Sequence, residues 1–356
     1  MTRSVIITDT KYRAVASVAR ELGRAGYRVI AHGDGVAARS RYVAERAGGD
    51  PLELAARENA VIFPGGAKTT AIMAARREEF SRYTLVATEE VLKTANDKTA
   101  VAQTARSLGI RVPETLDIAD ADSFRYPVIV KYVNGESLGK KAAERYAIAQ
   151  NREQLDAAAE KMGDAPVFVS EYIAGAGYGV SVLMNRARRA VRVFCHERLR
   201  EYPLTGGPSV MCRSVWCENM ARDAVALLKE LDFEGLAMVE FKGSADDYAL
   251  LEINPRVWGS YPLSYLAGAG FADAFARAAS GEALPEVTQP QYKLGVRMQY
   301  FLSGARWAIA TRSAANVLRF ASEIVNPRVK HGLWSWRDPA PGLTYMADIL
   351  KRRGEA

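Results

Sequence analysis

The sequence predicts an α/β module followed by an α+β region, and two features point that way. Residues 4–8 (SVIIT) and 28–32 (RVIAH) are apolar runs of strand length, separated by a stretch with Val15, Val18, Ala19 and Leu22 at helical spacing. That β-α-β order builds a parallel sheet. Past residue 95 the pattern changes to strand-like runs at 127–131 (PVIVK), 167–173 (VFVSEYI), 237–243 (AMVEFKG) and 250–256 (LLEINPR), with few helical stretches between them.

Taken in order, the first helix covers residues 12–24 and Gly26 stops it, while residues 60–66 (AVIFPGG) add a strand that ends on a turn signal. The first turn, TDTKYR, lacks the G-x-G-x-x-G that lets a backbone approach a pyrophosphate, so no dinucleotide site is expected there. Asn96 or Asp97 can cap a helix that runs to Leu108 and stops at Gly109, and Pro113 opens an extended segment. The strand 127–131 leads into a glycine-bearing loop (134–141, NGESLGKK), a helix near 151–162 and the strand 167–173. A basic segment (186–202, RARRAVRVFCHERLREY), a loop (203–209, PLTGGPS) and a helix near 219–231 precede the two carboxylate-bearing strands. The expected divisions are 1–95, 96–185, 186–288 and a Trp/Arg-rich extension, 289–356.

A chain of 356 residues is long for one compact domain, and 49% hydrophobic with 25% charged residues is the composition of a folded globular protein. The start, MTRSVIITDT, reads as a first strand rather than a leader, and the longest charge-free stretch, 257–272, is too short to span a bilayer and is broken by Pro262. No transmembrane segment is expected. Three cysteines favour a reducing cytoplasm over a disulfide framework, and three scattered histidines argue against zinc. The net charge of +7 comes with no nucleic-acid-binding motif, so an anionic small substrate suits it better than nucleic acid.

Strand alternation sends Glu240 away from Val239 and Phe241, and Glu252 and Asn254 away from Leu251 and Ile253. Three oxygen donors are thereby offered by two adjacent strands, a set that suits Mg²⁺. Lys131 ends an apolar strand, and Lys98 opens a helix against its dipole; phosphate oxygens would justify both. Gly135 and Gly139 bracket Ser137 in a loop whose backbone N–H groups could cover a phosphate chain, although G-x-x-x-x-G-K-[ST] is absent.

The succession DK, VIVK, glycine-rich loop, SEYI, VEF and LEINPR over residues 96–280 resembles the ATP-grasp superfamily of carboxylate–amine ligases, similar to carbamoyl phosphate synthase large subunits and biotin carboxylases. The resemblance implies a Rossmann-like pre-ATP-grasp domain followed by a two-lobed ATP-grasp fold. It implies ATP and Mg²⁺, with Mn²⁺ as a substitute. Lys98 and Lys131 match the phosphate lysines, Gly135, Ser137 and Gly139 the covering loop, and Glu171, Tyr172 and Ile173 the adenine hinge. Glu240, Glu252 and Asn254 match the metal ligands, Arg256 the arginine facing the transferred phosphoryl group, and Ser260 a contact to a substrate carboxylate. One departure stands out: Gly177 occupies the place where relatives carry an acid for the ribose.

The implied reaction joins a carboxylate to an amine through an acyl phosphate, releasing ADP and phosphate, with a small, glycan-linked or peptide-linked carboxylate as partner and room for a homo-oligomer. Arg198 and Arg200 could bind the anionic acceptor, since a guanidinium pairs a carboxylate bidentately. Cys195 beside His196 reads as incidental. Two other classes stay open: a phosphoryl transferase on the same fold, and a non-enzymatic protein binding nucleotides or anionic polymers. The tryptophan-bearing tail is expected to pack rather than to serve a partner or a membrane surface.

Overall fold

The computed structural model describes residues 3–132, 144, 146–204 and 207–354. Its first sheet holds β1 (Ser4–Ile7), β2 (Arg28–His32), β3 (Val43–Ala47) and β4 (Val61–Phe63), all parallel, in the order β3-β2-β1-β4. The helix Val15–Arg24 crosses between β1 and β2, and its apolar residues are buried as their spacing predicts, with Ser17 and Arg20 buried beside them. Strand β3 has an alternating half-exposed pattern, typical of a sheet edge, and offers no apolar run to detect.

A second sheet is antiparallel and small: β5 (Thr115–Leu116), β6 (Val128–Tyr132), β7 (Tyr146–Ala149) and β8 (Val167–Glu171), in the order β5-β8-β6-β7. The third contains β9 (Ala176–Met184), β10 (Ala190–Glu201), β11 (Ser209–Val215), β12 (Gly235–Gly243), β13 (Tyr248–Asn254), β14 (Arg297–Gln299) and β15 (Val329–His331), in the order β13-β12-β9-β10-β11-β14-β15. Strand pairing passes from the second sheet to the third between Glu171 and Ala176, so β9 hydrogen-bonds within the large sheet although the sequence grouped it with the preceding lobe. Residues beyond 289 supply β14 and β15, which complete that sheet.

Gly175 makes this passage feasible. Its φ is +117°, and a Cβ there would lie 2.2 Å from the carbonyl oxygen of Gly243, so the connector closes against β12 only with glycine. A shared core joins the first and third sheets: Phe63 of β4 meets Phe275 at 4.8 Å and Tyr261 at 6.5 Å between ring centroids.

The C-terminal part is clamped to the first module by Asp338. This buried carboxylate accepts from Arg20 Nε, Ser40 Oγ and the Arg41 N–H, each at 2.8 Å. The tryptophans of this part do not share one fate. Trp307 packs against the Arg200 guanidinium at 4.3 Å, but Trp336 stands in solvent, contrary to the packing expected of it. Among the described residues no helix is long and apolar enough to cross a membrane, and Cys195, Cys212 and Cys217 are free and buried.

Candidate active site

Strands β12 and β13 pair antiparallel with Glu240 opposite Glu252 and Met238 opposite Asn254. Because paired residues share a face, both carboxylates and the amide converge. The Asn254 Nδ2 donates to Glu240 Oε1 at 3.1 Å and to Glu252 Oε1 at 3.2 Å. A bulge follows at once: the partner of Phe241 is Leu250, which leaves Leu251 unpaired and exposed rather than in the core as alternation had suggested. The bulge leaves Leu250 and Ile253 in the core beneath the two acids.

Each oxygen donor carries one cation. Lys98 Nζ lies 2.7 Å from Glu252 Oε2, Arg198 Nη2 lies 2.5 Å from Glu240 Oε2, and Arg256 Nη2 donates to Asn254 Oδ1 at 2.8 Å. Lys98 reaches across because its helix, Lys98–Ser107, is capped by Asp97, which accepts from the N–H groups of Thr99 and Ala100. Burial pushes the Glu240 carboxyl up, and Arg198 only partly offsets it. Burial also acts on Glu252, but the pairing with Lys98 wins and holds it below the usual carboxylate value. Asn254 here turns Nδ2 to the two carboxylates and Oδ1 to Arg256; with the amide rotated by half a turn, its oxygen would join the two carboxylates in a hard-oxygen donor set that fits a divalent cation of the Mg²⁺ kind.

Lys131, in β6 of the second sheet, faces the same charges. Burial, with the like charge of Lys98, lowers its ammonium to about 8, against the opposing pull of Glu252. A lysine depressed this way is penalised in the folded state below pH 8, because the unfolded chain holds its proton up to the usual 10.5. The penalty is relieved as pH rises from 8 towards 10.5. Lys131→Met is therefore expected to melt at a higher temperature than the parent at pH 7, with the gap closing above pH 8; thermal melts across that range would refute it if the two curves ran parallel.

Other expected site residues lie elsewhere. Arg200 is buried and makes a bidentate pair with Glu323 of the helix Ala314–Val325, at 2.5 and 2.6 Å, so it is not open to an acceptor. The cause is a bulge in β10, where the register against β11 slips between Arg198 and Arg200 and the two arginines cease to be equivalent. Ser260 is also buried, 3.1 Å from His196 Nε2, a contact that withdraws it from any substrate. His196 itself is neutral, pushed down to about 3 by burial and by the charge on Arg198. Glu171 ends β8 with its carboxylate on Arg111 at 2.5 Å, while Tyr172 is half-buried and Ile173 buried in the connector. Gly135, Ser137 and Gly139 lie outside the described residues.

Gly177 turns out to be a space-making residue. A Cβ there would meet Arg198 Cδ at 2.9 Å and Glu201 Oε1 at 3.0 Å. Glu201 pairs with Arg198 at 3.2 Å and lies 4.0 Å from Lys242 Nζ. Sequence reasoning missed Glu201. The signal was present as an acid three residues past Arg198, but only the β10 bulge explains how both reach one place.

A small antiparallel sheet set against a large one, with two lysines and two carboxylates meeting between them, is the arrangement of the ATP-grasp fold. Residues 164–301 match the family model described as "ATP-grasp in the biosynthetic pathway with Ter operon". The chain is 28% identical over 173 residues to a pyruvate carboxylase subunit from Methanothermobacter thermautotrophicus, covering 46% of this chain and 35% of that one. It is 26% identical over 267 residues to the carbamoyl phosphate synthase large chain of Myxococcus xanthus, covering 68% and 24% respectively. The chain thus spans only about a third and a quarter of these two curated relatives. Among solved structures, the biotin carboxylase domain of the Hydrogenobacter thermophilus 2-oxoglutarate carboxylase, in complex with MgADP, ADP and bicarbonate, aligns with a TM-score of 0.60 at 16% identity, over 83% of this chain and 74% of that one. That likeness establishes the fold.

Proposed function

We propose that the chain is an ATP- and Mg²⁺-dependent carboxylate–amine ligase, releasing ADP and phosphate. The observation that carries this reading is the facing pair Glu240 and Glu252 with Asn254 between them, ringed by Lys98, Arg198 and Arg256. A divalent cation held by Glu240, Glu252 and Asn254 would neutralise nucleotide phosphate charge. Lys98 exchanges its partner Glu252 for phosphate oxygens, and Lys131, already short of counter-charge, becomes fully protonated when phosphate arrives. The cytoplasm, where ATP is at hand, is part of the same reading.

The chemistry asked of the site is modest. A carboxylate oxygen attacks the γ-phosphorus and ADP leaves; the amine lone pair then attacks the acyl carbon, phosphate leaves, and the amine loses a proton. Positioning and charge neutralisation supply most of the rate in phosphoryl transfer, so no protein nucleophile is needed. Arg256, anchored through Asn254 and the Val257 carbonyl, presents its guanidinium to the transferred group. Glu201, standing over Gly177, offers a carboxylate for the ribose hydroxyls in place of the missing acid.

Nucleotide product analysis over mixtures of acids and amines tests the class. ADP and phosphate released only when both are present is the expected outcome. AMP as the stoichiometric product would overturn the reading, and ADP release indifferent to the amine would give the fold to a phosphoryl transferase. Arg256→Lys is expected to lower amide formation on the order of 10²-fold, as loss of one oxyanion donor does, with ATP affinity little changed. Equal losses in both would make Arg256 a nucleotide anchor instead.

A further inference from the structure

The C-terminal helices are inverted. In Ala314–Val325 the residues Ala314, Val317, Leu318, Ala321 and Val325 recur at the spacing of one helical face, and all of them are exposed. The opposite side is the one that packs: Phe320 lies over Gly304 and near Phe301, and Glu323 binds Arg200. Among the described residues the most exposed large apolar side chains include Trp336 (88%), Val325 (80%), Ile309 (73%) and Leu318 (70%), all within this part of the chain. Scattered exposed leucines need no explanation, but a helix that turns its apolar stripe outward does.

The surroundings of the stripe are cationic. Residues 301–351 hold seven Lys and Arg against three Asp and Glu. Two of those three acids, Glu323 and Asp338, are buried in pairs with arginines, so they contribute little outside. Arg306, Arg312 and Arg328 are exposed and have no acid partner among the described residues. Beside the stripe opens a cleft of about 560 Å³ whose wall includes Val325 and Trp336 together with Arg24, Lys330 and Arg337, and no carboxylate.

We propose that this face docks on an anionic lipid surface, with Leu318, Val325 and Trp336 entering the interface and the arginines meeting phosphate headgroups. Apolar side chains flanked by unpaired cations suit a negatively charged interface, and tryptophan favours the headgroup level. A second copy of the chain fits less well, because a two-fold contact would bring two like-charged faces together. The inference is independent of the reaction proposed above and rests on a different part of the molecule.

Vesicle flotation of the full chain tests it. Vesicles of phosphatidylcholine with about one third phosphatidylglycerol are expected to retain at least about tenfold more protein than phosphatidylcholine alone, less so at about 0.5 M NaCl. Leu318→Asp with Val325→Asp should cut that retention about tenfold or more. Both sites are solvent-facing, and an unchanged thermal melt would certify the fold. Equal retention on both vesicle types would overturn the proposal. So would full retention by the double variant, which would leave only adsorption of charge. A dimer in sedimentation velocity that the double variant dissociates would assign the face to a second copy.

Discussion

Glu252→Gln is expected to lower Mg²⁺-dependent ATP turnover on the order of 10²-fold or more while leaving the fold intact. Glutamine has nearly the shape of glutamate but brings no charge to the cation and none to Lys98, which lies 2.7 Å away. The Lys98 end of that pair is largely exposed, so its loss alone should cost well under about 1 kcal/mol of stability. The variant must therefore separate chemistry from folding. Turnover measured against Mg²⁺ concentration, with a thermal melt beside it, gives the answer. Parental turnover with an unaltered Mg²⁺ dependence would remove Glu252 from the site, and a large drop in melting temperature would make it a structural residue.

Arg200→Met should destabilise the protein by about 3–5 kcal/mol. Its guanidinium makes both bonds to Glu323 in a setting where the two side chains are almost wholly out of solvent, and removing it strands a buried carboxylate. The damage comes from the unpaired charge rather than from lost attraction. Arg200→Met combined with Glu323→Leu should then recover most of the loss, since an apolar pair replaces a buried ion pair at little cost. Urea melts of the two variants decide it. A single variant as stable as the parent, or a double variant no better than the single, would show that the pair does not hold the helix Ala314–Val325 to β10.

Local pattern in the chain was sufficient for the β-α-β opening, for β6 and β8 of the second sheet, for β12 and β13 of the third and for the meeting of Glu240, Glu252 and Asn254, but it marked no strand at β9, β10 or β11, the centre of the large sheet. Periodicity was enough for the helix at Val15–Arg24, and carboxylates set among apolar strand residues were enough for Glu240 and Glu252, because charge in such a place demands a partner. Lys98 was legible because a lysine at a helix start opposes the dipole, and its pairing with Glu252 meets the need for an anion there. The fate of the arginines, by contrast, was settled by long-range packing. Arg198 and Arg200 look alike in a strand of alternating residues, but an irregular register in β10 gives one to Glu240 and the other to a helix more than 120 residues later. Gly177 likewise read as a missing acid, until the crowding of Arg198 and Glu201 over it became visible. Bulges and long-range ion pairs escape local pattern because a single inserted residue changes no composition and resets every neighbour that follows.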